Sequence, residues 1–133
     1  MKKQRFVSGA VREPAAGMWS NCLRVDDLIL ISGMTARAQD GESLLGDTAY
    51  AQARVVFQKI KDLVEAAGAA MDDVVKMTIF VTDMGTNTEV WKARQEFFSG
   101  DFPACSLVEV AALAKPEILL EIEAVAVAGC SAD

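Results

Sequence analysis

Glu121 and Glu123 lie inside a stretch that otherwise reads as a core strand, and a carboxylate held among aliphatic side chains is suited to acid–base work. From Ile118 to Val127, alternation sends Ile118, Leu120, Ile122, Ala124 and Ala126 to one face. Leu119, Glu121, Glu123, Val125 and Val127 share the other. A glutamate so placed stands either at the solvated edge of a sheet or in a pocket where burial and partners tune its charge. Cys105 also has two readings. It is a small buried hydrophobe, or a reactive thiol if a Lys, Arg or helix N-terminus lies close. Ser32 and Gly33 close an apolar strand, where glycine permits a tight turn or the close approach of a ligand to the backbone.

The sequence contains no histidine, which excludes a histidine metal site, a Cys-His dyad and a Ser-His-Asp triad. Acid–base work falls to carboxylates, a thiol, lysine, Tyr50 or water. The three cysteines, Cys22, Cys105 and Cys130, are odd in number and form no CxxC pair, so neither a disulfide framework nor a metal site is expected, and no cofactor is implied. A net charge of −6 without a basic run argues against a nucleic-acid partner, because clustered Lys and Arg must neutralise phosphates. No apolar run approaches the ~18 residues of a membrane span. The start, Met1-Lys2-Lys3-Gln4-Arg5-Phe6, lacks the apolar stretch of about 7–15 residues found in a secretory signal, so a cytoplasmic location is expected.

The elements that must position these residues fit one domain over 1–133. Gln4 to Val7 reads as a short strand, and Trp19 to Val25 and Leu28 to Met34 form a hairpin about Asp26-Asp27. Thr35 to Asp47 is a loop, placed to cover a pocket or simply to lie on the surface. Asp47 or Thr48 caps a helix ending near Ala67, with Gly68 after it and Ala53, Val56, Phe57, Ile60, Val64 and Ala67 as its apolar stripe. Gln52, Lys59, Lys61 and Asp62 are expected to point elsewhere. Val74 to Val81 reads as a strand with Val75, Met77, Ile79 and Val81 on one side. Thr86 to Glu89 has capping-box spacing for a second helix, which Gly100 should end before Pro103. This order implies a mixed sheet with both helices on one face. The apolar opposite face then calls for cover by another subunit.

Segments along nearly the whole chain resemble the RidA/YjgF family, historically called endoribonuclease L-PSP. They are Leu30-Ile31-Ser32-Gly33, Val64-Glu65-Ala66-Ala67-Gly68, Asp72 to Thr78, Val81-Thr82-Asp83-Met84, Glu96-Phe97-Phe98, Phe102-Pro103-Ala104, Val108 to Ala111 and Glu121 to Val127. The resemblance implies an α+β, α/β-like fold of the chorismate-mutase-like type: a mixed six-stranded sheet with two helices on one face, assembled as a homotrimer with a small-molecule pocket at each subunit boundary. It implies that Glu121 positions the water attacking an imine, while Glu123 makes a structural or interface contact. The Gly33 amide, beside Ser32, would meet a substrate carboxylate, and the main-chain carbonyl of Leu107 an amino or imino group.

Three positions depart from the family pattern. Cys105 stands where an arginine clamps the substrate carboxylate, Trp19 where a tyrosine is usual, and Trp91 where asparagine is frequent. A thiol cannot supply the planar, bidentate fork of a guanidinium. Arg24, Arg37 or Arg94 is left to provide a cation from another direction. The expected function is hydrolytic deamination of an enamine or imine other than a simple 2-imino acid, as in the 2-aminomuconate deaminase branch, with Glu121 first and Cys105 next as catalytic candidates. The alternative is a non-catalytic homotrimer that binds a small metabolite. Ribonuclease activity is disfavoured by the acidic balance.

Overall fold

The computed structural model describes residues 1–132. Its elements are β1 (Lys3–Arg5), β2 (Cys22–Val25), β3 (Leu28–Met34), α1 (Ala49–Ala66), β4 (Val74–Val81), α2 (Asn87–Gln95), β5 (Ala104–Glu109) and β6 (Leu120–Val127). They build one mixed six-stranded sheet in the order β1-β2-β3-β6-β4-β5, in which only the β4–β5 pair is parallel. The last strand of the chain is thus inserted at the centre, between β3 and β4. Both neighbours run antiparallel to it.

Alternation along β6 decides how the layers stack. Leu120, Ile122, Ala124 and Ala126 are buried together with Ile29, Ile31, Met77, Ile79 and Val81 of the neighbouring strands. The α1 stripe of Ala53, Val56, Phe57, Ile60 and Val64 covers them, and Val90 and Ala93 of α2 complete the layer. α1 starts where the Thr48 hydroxyl accepts from the Ala51 amide at 3.1 Å. It stops at Gly68, whose φ of +87° reverses the chain at little cost. The opposite sheet face has no helix, and Leu28, Leu30 and Val108 lie 41%, 42% and 40% exposed on it.

Several expected boundaries and directions shift for local reasons. β2 begins at Cys22 rather than Trp19. Val75 turns outward instead of following Met77 inward, because the β4–β6 register slips between Val74 and Lys76 and inserts one residue. Gln52 is buried rather than turned away. Its amide donates to the Gly46 and Glu117 carbonyls at 3.1 and 2.9 Å and accepts from the Leu119 amide at 3.0 Å, tying α1 to the entry of β6. The capping box at Thr86 does not form: its hydroxyl donates to the Asp83 carbonyl at 2.7 Å within a preceding 3-10 turn. α2 ends at Gln95, before Gly100, where the chain turns so that Phe97 and Phe98 pack on the Phe57 ring at 5.5 and 6.1 Å.

The far end of β6 is held by Asp73. Its buried carboxylate accepts from the amides of Ala70, Gly129 and Ser131 and from the Ser131 hydroxyl, at 2.6 to 3.0 Å. Burial raises its pKa, but the Ser131 hydroxyl and the three amides together outweigh that and hold it down to about 2, from 3.8. A depressed folded-state pKa contributes stability that is full above the unfolded value near 4 and is lost as pH falls toward 2. Asp73→Asn should therefore cost roughly 2 kcal/mol at neutral pH and flatten the acid limb between about pH 4 and 2. Urea unfolding at several pH values checks this, and an unchanged acid limb would show that Asp73 does not carry it.

Candidate active site

Glu121 projects from the centre of β6 onto the helix-free face and reaches into a cavity of about 440 Å³. The cavity owes its depth there to β3. Between Ile31 and Met34 the β3–β6 register shifts by one residue, and Gly33 falls within the shift. A Cβ on Gly33 would stand 2.9 Å from both Cδ and Oε1 of Glu121. The position accommodates the carboxyl group only because it is glycine. Its φ lies outside the left-handed region, so the requirement is space rather than backbone conformation. Burial raises the Glu121 pKa above the ordinary carboxylate value, the Arg37 guanidinium opposes that rise, and Glu123 adds to it.

The Thr35–Asp47 loop forms one wall. The Lys59 ammonium donates from α1 to the carbonyls of Thr35 at 2.8 Å and Arg37 at 2.6 Å, fastening the loop to the helix. Burial and the neighbouring Arg37 charge lower the Lys59 pKa. The opposite wall carries Trp19, whose indole N–H donates to Asn21 Oδ1 at 3.1 Å. Asn21 is buried and donates in turn to the Arg12 carbonyl and Glu13 Oε2 at 2.9 and 3.0 Å. Ser32 sits beside the cavity, and its hydroxyl donates to the Ser20 carbonyl at 2.6 Å. Among the described residues no cluster of three or more Cys, Asp or Glu side chains converges as metal ligands do.

The model of the family described as endoribonuclease L-PSP matches residues 10–128. The chain belongs to that family, also called RidA/YjgF. It is 33% identical over 127 residues to a RutC family protein of Pyrococcus horikoshii, spanning 95% of this chain and 98% of that one. A protein of Dermatophagoides farinae named 2-iminobutanoate/2-iminopropanoate deaminase is 31% identical over 127 residues, or 96% and 98% of the two chains. The crystal structure of a Pseudomonas aeruginosa protein of unknown function superposes with a TM-score of 0.84 at 38% identity, covering 96% and 94%.

In this RidA/YjgF member, one chain brings Trp19, Gly33 and Glu121 to the cavity but not Cys105, Leu107 or Trp91. Cys105 and Leu107 of β5 pack partly buried against the helix-side core. Phe80 pairs with both Glu121 and Val108, which share the helix-free face. Cys105 is therefore on the opposite face from Glu121 and two strands away, about 10 Å at the usual spacing. Trp91 is 43% exposed on α2. Of the three arginines, only Arg37 lines the cavity. Arg24 instead closes α1, donating to the Ala67 carbonyl at 2.6 Å. Lys59, Arg12, Glu13 and Asn21 were not singled out by the sequence. Lys59 flanks the apolar stripe of α1, one residue before Ile60, and that position was its only signal.

Replacing Gly33 by alanine should leave the fold intact and push the Glu121 carboxylate outward. Its raised pKa should then fall toward the ordinary carboxylate value as burial is relieved. Carboxyl NMR titration measures both proteins, and identical Glu121 midpoints would mean that the carboxyl group does not rest on Gly33.

Proposed function

We propose that this protein hydrolytically deaminates a small enamine or imine metabolite at a site completed by a second copy in a homotrimer. The observation that carries the reading is Glu121, a half-buried carboxylate of raised pKa in a cavity large enough for a metabolite. The substrate reacts as its imine tautomer. Water adds through oxygen to the electrophilic carbon while Glu121 accepts a water proton. With the imine nitrogen protonated at the outset, addition gives a carbinolamine bearing an NH2 group. Returning the proton from Glu121 to that nitrogen makes ammonia the leaving group. As the carbon–nitrogen bond breaks, the hydroxyl proton passes to water, leaving the carbonyl product. A carboxylate of raised pKa is a stronger base for the first transfer, and its conjugate acid serves the second. The name of the Dermatophagoides farinae relative supports deamination.

Cys105 offers no fork for a carboxylate next to the imine, which argues against 2-iminopropanoate-like substrates and for a larger enamine of the 2-aminomuconate type. The same substitution favours one rival, a trimer that binds a small metabolite without converting it. Glu121→Gln distinguishes the two. Ammonia release from 2-aminomuconate should fall about 10²–10⁴-fold with the assembly intact, while turnover of 2-iminopropanoate is negligible in the wild type. Glu123→Gln should affect stability more than rate. Equal rate losses would mean that the glutamates act together, and full activity of Glu121→Gln would remove the proposed mechanism.

The exposed apolar positions Leu28, Leu30 and Val108 support assembly through the helix-free face. So does the separation of Cys105 and Leu107 from Glu121, since β5 is an edge strand able to meet a neighbouring copy. Sedimentation equilibrium should give a trimer. A monomer at micromolar concentration would sink both the assembly and the shared site.

A further inference from the structure

We propose that Arg37 forms an anion subsite in the Glu121 cavity and binds a carboxylate carried by the substrate at a distance from its imine carbon. This deepens the hydrolase reading, on which it rests for placing the reacting carbon at Glu121.

Three observations converge on Arg37. Its side chain lines the cavity, yet its buried Nε has no hydrogen-bond partner, and the guanidinium takes part in no salt bridge among the described residues. A buried charged donor left unpaired is costly, and folded proteins pair nearly all of them, so an anion bound at this guanidinium would offset a cost the chain otherwise carries. Its position is also fixed. Lys59 holds the Arg37 main-chain carbonyl at 2.6 Å and that of Thr35 at 2.8 Å, so the loop presents the fork from a clamped backbone. Two of the three Lys59 donors are thereby used, and its ammonium adds a second positive charge to the same wall. Finally, Arg37 and Lys59 bring positive charge from the loop and α1, Glu121 brings a carboxylate from β6, Arg12 and Glu13 add one charge of each sign from the segment before β2, and Met18, Trp19 and Leu113 supply apolar surface.

A ligand matching this lining has an apolar or conjugated body, an amino or imino group for Glu121 and a carboxylate for Arg37. The planar guanidinium binds a carboxylate through two parallel N–H donors, which a single ammonium or a neutral amide cannot do. Arg37 thus restores positive charge lost at Cys105, at a different place. A short 2-imino acid carries its carboxylate on the reacting carbon, whereas an extended enamine diacid carries a second one that can reach the loop.

Calorimetric titration with muconate, which has an extended diacid skeleton and no amino group, and with its dimethyl ester tests the subsite without catalysis. Muconate should bind the wild type at least about tenfold more tightly than the ester. Arg37→Gln should remove that preference, Arg37→Lys should recover part of it, and ester binding should stay unchanged in both. No saturable muconate binding, equal binding of acid and ester, or an undiminished preference in a folded Arg37→Gln each overturns the subsite. The acid–ester comparison uses wild-type protein alone, so it holds even if a variant fails to fold. Turnover by Glu121→Gln separates the two readings: acid preference with full Glu121→Gln activity retains the subsite and removes the hydrolase mechanism, and the converse result does the reverse.

Discussion

Strand β6 must satisfy two solvents at once. Leu120, Ile122, Ala124 and Ala126 are sealed under α1, while Glu121 and Glu123 leave from the other side of the same backbone. Both demands are met by alternation alone, and the central place of β6 extends them to β3 and β4. Moving its register by one residue would bring two carboxylates beneath α1 and expel four aliphatic residues. The core and the cavity therefore share one constraint, and neither can be altered at β6 without the other.

Electrostatics in the cavity follow from which element contributes which charge. Glu121 is partly desolvated by the sheet and loop around it, and Arg37 offsets that cost without closing into an ion pair among the described residues. Lys59 spends its hydrogen bonds on main-chain carbonyls, acting as a strut between helix and loop. Asn21 plays a similar part on the opposite wall, where its buried amide joins Trp19 to the Arg12–Glu13 segment. The polar residues around the cavity are thus largely engaged in holding its shape. Among the described residues, Arg37 Nε is the buried exception.

Much of this architecture was legible in the sequence because it depends on local periodicity. The facing pattern of β6, the stripe of α1 with its Thr48 and Gly68 ends, and the strand–helix order are all repeats of 2 or 3.6 residues. Features that depend on distant partners were not readable in this way. Gln52 resembles a solvated helix residue until Glu117 and Leu119 arrive beside it from 65 and 67 positions later. Val75 breaks the alternation because of a bulge that no residue type at that position announces. At the cavity, Glu121 stood out by contrast with its aliphatic neighbours. Lys59 did not, since a lysine beside an apolar stripe is ordinary and its carbonyl partners lie 22 and 24 residues away. Cys105 was marked by the family pattern, but its face of the sheet emerges only from the β4–β5 register.

The extra residue near Gly33 bears on how such a chain can change over generations. Upstream of it Ile29 and Ile31 face the core, and downstream Met34 does so again, one position out of step. Deleting a single residue there would restore regular alternation, since Met34 would become the second residue after Ile31, still on the core face and still opposite Ile122. What such a deletion would lose is the local step in β3 that sets Gly33 against the Glu121 carboxyl group, so the cavity would change while the core kept its pattern. The bulge is therefore a reversible step in descent: one codon gained or lost in this stretch can reshape the cavity without dismantling the core beneath it.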